Sequence, residues 1–76
     1  MYYKTMRRRL ESCGWSPTET YSMDVFPDVF HETWKNRSYI GEDYERYRIH
    51  LVCAYNKDGT PGKILEAYQG GKLCRV

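Results

Sequence analysis

Two adjacent glycines near the C-terminus, Gly70 and Gly71, constrain the fold of this chain more than any other feature. Both can adopt a positive φ without a Cβ clash, as a two-residue type I′ hairpin turn requires. The turn sets Gln69 opposite Lys72 and fixes the register outward from there. That register predicts the further pairs Tyr68 with Leu73 and Glu66 with Arg75, and an apolar face made of Leu65, Ala67, Cys74 and Val76.

The residues before this hairpin alternate with the period of two that a half-buried strand shows. The apolar face of the strand consists of Tyr47, Ile49, Leu51, Cys53 and Tyr55, and the opposite face of Arg46, Arg48 and His50. A loop rich in Asn, Asp, Gly and Pro then returns the chain into residues 63–69. We therefore predict an antiparallel β-meander over residues 44–76.

Residues 2–13 are predicted to form a helix. Tyr3, Met6, Leu10 and Cys13 lie on one stripe at helical spacing, and Gly14 is suited to end the helix.

Three consecutive bases occupy the solvent side of this helix: Arg7, Arg8 and Arg9. Guanidinium groups bind phosphates and carboxylates in a bidentate geometry, so the three are candidate contacts to an anionic partner. An ordinary solvated helix face explains the same residues.

The middle of the chain gives two conflicting patterns. Residues 18–26 alternate as a half-buried strand does, and Pro27 is expected to end that strand. For residues 28–36 we predict a short helix, because Phe26, Phe30 and Trp34 recur every four residues and Asp28 is suited to the N-cap. A strand joined through a hairpin at residues 26–28 is the alternative. Residues 36–43 are expected to be a linker.

These elements predict an α+β fold in one small domain, residues 1–76. The N-terminal helix packs on one face of a three- or four-stranded antiparallel sheet that ends in the C-terminal meander. A winged helix-turn-helix is the main rival, and it requires two helices in residues 17–36. The alternation from Thr20 to Val25 argues against that rival.

The three cysteines, Cys13, Cys53 and Cys74, are odd in number and widely spaced. They do not suit a disulfide framework, so we expect reduced thiols that face the core and are poor nucleophiles.

The densest group of possible metal ligands or general bases is Asp24, Asp28, His31 and Glu32. On a helix the last three would share a face at metal-compatible spacing. Capping and surface acids are the favoured explanation of these residues, and Lys35 stands where a zincin would have its second histidine. We expect no enzyme, no metal and no cofactor.

Charge is segregated along the chain: residues 1–15 are basic, 16–45 acidic and 46–76 basic. Segregated charge with eight Tyr and two Trp suits a protein interface, so we predict a binding protein such as an inhibitor or adaptor. Nucleic-acid binding is the alternative, through Arg7, Arg8 and Arg9 and through the strand face of Arg46, Arg48 and His50 beside Tyr44.

The sequence also bears on localisation. There is no apolar run near the ~18 residues of a membrane span, and the first residues do not begin a signal peptide. We therefore expect a cytoplasmic protein without membrane contact.

Overall fold

The computed structural model describes residues 1–75, which form two helices and five strands. In chain order the elements are α1 (Tyr3–Ser12), β1 (Trp15–Met23), β2 (Phe26–Asn36), α2 (Glu42–Tyr47), β3 (Ile49–Tyr55), β4 (Pro61–Gln69) and β5 (Lys72–Cys74). All strands pair antiparallel with their neighbours in the order β1-β2-β3-β4-β5. The predicted α+β fold with a helix on an antiparallel sheet is confirmed, with five strands rather than three or four.

The core lies between α1 and one face of the sheet. Its buried apolar side chains are Tyr3 and Leu10 from α1, Phe30 and Trp34 from β2, Leu51 and Cys53 from β3, and Ile64 and Ala67 from β4. Burying a large apolar side chain stabilises the folded state by about 1.5–3 kcal/mol, so this layer holds α1 in place. The predicted helical stripe is confirmed at Tyr3 and Leu10.

The predicted helix over residues 28–36 is wrong. The alternative strand forms instead, as β2, and the turn before it is at residues 24–25 rather than 26–28. A spacing of four places Phe30 and Trp34 on one side of a strand as well as of a helix, so their recurrence did not discriminate. Because residues 15–36 form two strands, the winged-helix alternative is also excluded.

The first strand is displaced by three residues at each end, since β1 spans Trp15–Met23 rather than residues 18–26. Pro27 does not end it but lies inside β2. The first residue of β2 that pairs with β3 is Val29, and the β1 register is irregular between Ser22 and Met23. Pro27 therefore occupies a stretch without a regular ladder, where its missing N–H costs little.

A short helix replaces the start of the predicted meander strand. Residues 42–47 form α2, and β3 begins only at Ile49. The first turn of α2 contains Glu42, Asp43 and Glu45, and Arg46 is in its last turn. This order of charges complements the helix dipole and favours the helix over the alternation of residues 44–48.

The C-terminal hairpin has the predicted register. Gln69 pairs with Lys72, and the ladder continues outward to Ala67 and Cys74. Both turn glycines have positive φ, 58° at Gly70 and 82° at Gly71. The ladder ends there, so Glu66 and Arg75 are not a pair within it, and the prediction for Val76 lies outside the described residues.

A β-bulge in β4 changes which residues face the core. Val52 pairs with Glu66 but the next residue, Cys53, pairs with Ile64, so Leu65 is an extra residue. An extra residue reverses the alternation beyond it. Ile64 and Ala67 are therefore both buried while Leu65 is 49% exposed, and the prediction that Leu65 shares the apolar face with Ala67 is wrong.

The three cysteines differ in environment. Cys53 is buried as predicted, and its burial raises the pKa of the thiol to about 12. Cys13 ends α1 as its C-cap and is exposed, and Cys74, although paired with Ala67, is exposed as well. The prediction that these two thiols are buried is wrong, because the core does not extend to the C-terminal end of α1 or to the edge strand β5.

Within residues 1–75, no helix is long and apolar enough to cross a membrane.

Candidate binding surfaces

The three arginines of α1 are exposed, as predicted. Arg7 Nε donates to Glu11 Oε1 at 3.2 Å, and Arg7 Nη1 donates to the Tyr3 hydroxyl at 3.4 Å. In the described part of the chain, Arg8 and Arg9 form no salt bridge. An exposed ion pair contributes about 0–1 kcal/mol, so none of the three is held strongly by the fold.

The predicted basic strand face is not formed. Tyr44 and Arg46 belong to α2, and Arg48 follows the helix directly and pairs with Glu45 at 3.6 Å. His50 alone of the predicted set lies on a strand, β3. The prediction is wrong because it did not include α2, and a helix places these side chains in different directions from a strand.

His50 is part of an aromatic row on the sheet face opposite α1. Its Nε2 lies 3.0 Å from Nδ1 of His31, the Tyr21 ring stacks on His31 at 5.0 Å, and Tyr68 meets His50 edge-on at 6.0 Å. The imidazole–imidazole hydrogen bond requires one ring nitrogen without a proton. Partial burial, His31 and Arg48 together lower the pKa of His50.

The predicted acidic group is divided by the strand. Alternation along β2 puts Glu32 in the core and His31 on the opposite face, so the helical face that would have joined them does not exist. Residues 1–75 contain no cluster of three or more His, Cys, Asp or Glu side chains in a metal-binding arrangement.

Glu32 is a buried carboxylate, 4% exposed. Trp34 Nε1 donates to its Oε1 and Thr20 Oγ1 to its Oε2, each at 2.8 Å, and the Tyr3 hydroxyl lies 2.8 and 3.0 Å from the two oxygens. Burial and the neighbouring Glu32 raise the pKa of Tyr3 to about 12. Because side chains from α1, β1 and β2 all donate to it, the carboxylate links these three elements and has a structural role.

A cluster around Tyr39 was not predicted. The Tyr39 ring stacks on Tyr47 at 4.4 Å and 25°, and Trp15 packs on it at 6.0 Å. Arg46 Cζ lies 5.4 Å from the centre of the Tyr47 ring. The Asn36 carbonyl accepts a hydrogen bond from the Tyr39 N–H at 3.0 Å, which closes the turn that follows β2.

Two shallow clefts of about 380 and 450 Å³ share Tyr39 as a lining residue, and we call them together the Tyr39 groove. Besides Tyr39, the groove is lined by Lys35, Arg37 and Tyr44 on one side and by Arg46, Tyr47 and Lys72 on the other. In the described chain no acidic residue lines either cleft. Two of these residues, Tyr44 and Arg46, were predicted site residues. The other lining residues were not predicted, because they are far apart in the sequence and form no local motif.

The turn between β1 and β2 forms a second surface, the hairpin tip, which we define as residues 23–28. Met23, Val25 and Phe26 are 48%, 75% and 62% exposed. Residues 26–28 extend beyond β3, whose pairing with β2 begins only at Val29. No Lys or Arg occurs from residue 10 to residue 34, so the tip is acidic as well as apolar.

The register places the hairpin tip and the Tyr39 groove at opposite ends of the strands. Comparison with protein-family models, with curated proteins and with solved structures finds no match for this chain.

Proposed function

We propose that this chain is a non-enzymatic protein that binds a protein partner through the hairpin tip and acts as an inhibitor or adaptor. The observation that carries the proposal is the exposure of Met23, Val25 and Phe26 on a turn that projects from the sheet. Large apolar side chains grouped on a projecting segment are typical of interaction sites, because the fold does not bury them and a partner can remove them from water.

The chemistry of the tip indicates what the partner offers. Three apolar side chains within four residues suit an apolar cleft, in which a few buried side chains provide most of the binding energy. Asp24 lies among them and Asp28 follows them, and no Lys or Arg occurs in the tip, so the rim of the cleft should be basic. We also propose that the protein is cytoplasmic, because thiols stay reduced in that compartment.

Affinity capture tests the proposal with a matched pair of variants. The tip variant carries Met23→Ser, Val25→Ser and Phe26→Ser. The control carries Leu65→Ser and Leu73→Ser, which removes exposed apolar side chains elsewhere. Immobilised protein is incubated with a nuclease-treated lysate of the encoding organism, and captured proteins are quantified by mass spectrometry.

We expect one stoichiometric protein that the wild type and the control capture and the tip variant loses. A photoreactive p-benzoylphenylalanine at Val25 should cross-link to that protein, and the same group at Leu65 should not. Equal capture by the tip variant and the wild type, or the absence of any stoichiometric protein captured by the wild type, contradicts the proposal.

A further inference from the structure

We infer that the Tyr39 groove is a binding site for single-stranded nucleic acid. The site is separate from the hairpin tip and does not depend on the function proposed above.

The first argument is charge. Lys35, Arg37, Arg46 and Lys72 line the groove, and no Asp or Glu does so within the described residues. The acids of α2 do not line it, and one of them, Glu45, pairs with Arg48. Four cations around a concave surface concentrate positive potential there, although the whole chain carries only +2.

The second argument is the tyrosines among these cations. Tyr39, Tyr44 and Tyr47 line the groove and are each half-buried. The stack of Tyr39 on Tyr47 and the packing of Trp15 hold the first ring in position, so little side-chain freedom is lost on binding. Aromatic side chains among cations are how proteins hold single strands, with phosphates on the cations and bases on the rings.

Geometry favours a single strand over other anions. Each cleft is within the roughly 300–1,000 Å³ that ligand sites occupy, and a duplex keeps its base faces stacked inside the helix, where these rings cannot reach them. An acidic peptide would use the cations but not the ring of Tyr44, which stacks on no other ring within the described residues, whereas Tyr39 and Tyr47 stack on each other. Single-stranded nucleic acid is the ligand that uses both.

Fluorescence anisotropy with labelled oligothymidylate tests the inference, with a mixed-sequence duplex and poly-glutamate as comparison ligands. The groove variant carries Arg46→Gln and Lys72→Gln. The control carries Arg8→Gln and Arg9→Gln, which removes the same charge from α1. We expect oligothymidylate to bind more tightly than either comparison ligand.

The salt dependence locates the contacts. Each phosphate contact on a single strand contributes about 0.7 to the slope of log affinity against log salt, so the groove variant should lose up to about 1.4 of that slope. The control should keep the wild-type slope. An equal loss in the control would place binding on α1 and overturn the inference, as would equal affinity for poly-glutamate.

A third pair of variants tests the stacking. Tyr44→Ala should weaken oligothymidylate binding about tenfold, since one base stack is worth roughly 1–3 kcal/mol. Tyr2→Ala removes an exposed ring near the start of β4, where Tyr2 bridges to Lys63 at the opposite end of that strand from the groove, and should have no effect. Melting curves establish that each variant is folded. Unchanged affinity in a folded Tyr44→Ala, or no binding by the wild type at micromolar protein in low salt, overturns the inference.

Discussion

The two glycines of the C-terminal turn should differ sharply in their tolerance of a side chain. Both have positive φ, so Ala at either position adopts the left-handed conformation, which costs about 1–2 kcal/mol. At Gly71 an added Cβ meets nothing within 4 Å. At Gly70 it would come closer than 3.0 Å to the backbone carbonyl oxygen of Arg46, which cannot rotate away as a side chain can.

The clash at Gly70 adds to the conformational cost. Overpacking costs about 1–3 kcal/mol, so Gly70→Ala should lose about 2–5 kcal/mol against about 1–2 for Gly71→Ala. The Gly70 N–H also donates to the Arg48 carbonyl at 2.9 Å, and a displaced turn would break that bond. A domain of this length is stable by only about 4–11 kcal/mol, so the larger loss would be conspicuous.

Guanidinium unfolding followed by tryptophan fluorescence measures both variants. We expect Gly71→Ala to lower the midpoint moderately and Gly70→Ala to lower it further, by at least the equivalent of ~1 kcal/mol, without a change in slope. Gly71→Asn serves as a control for the conformation, since Asn tolerates positive φ better than Ala. Equal destabilisation by the two Ala variants would refute the contact between the turn and the end of α2.

Three further predictions concern buried and titrating groups. Glu32→Gln should lower the free energy of unfolding by about 2–4 kcal/mol, because the amide places a donor where the carboxylate accepts hydrogen bonds. The exposed Glu19→Gln should change the free energy of unfolding by less than ~0.5 kcal/mol. Equal effects of the two substitutions on chemical denaturation would contradict the buried network. The pKa of His50 is lowered in the folded protein, so protonation favours the unfolded chain, and the stability present above pH 6.5 should be lost as the pH falls below it. Unfolding curves of wild type and His50→Asn across this range should show the variant's smaller pH dependence, and a gain in wild-type stability on acidification would refute the sign. A thiol reagent should modify the two exposed cysteines of the native protein at once and Cys53 only after unfolding, and fast reaction of all three would show that the core opens readily.

The sequence by itself determined the features that depend on neighbouring residues. The pair Gly70 and Gly71 fixed a turn and, through it, a register, because two-residue turns leave no freedom in pairing. The stripe containing Tyr3 and Leu10 fixed the helix and its buried side, because helical spacing needs only local information.

Only the tertiary structure decided the features that depend on distant partners. Phe30 and Trp34 fit a helix or a strand, and pairing with β1 and β3 selected the strand. The bulge at Leu65 follows from how β4 matches β3 and has no local signature in the sequence. Glu32 looks like a surface acid until Tyr3 and the strands enclose it and satisfy its oxygens.

The candidate surfaces divide in the same way. The hairpin tip is continuous in sequence, yet its exposure follows from β2 extending beyond β3. The Tyr39 groove is assembled from residues between Lys35 and Lys72 that meet because the meander returns one end of each strand to the same place. Alternation along a single strand could not place them together, since proximity between strands is set by pairing and by the path of the loop that carries α2.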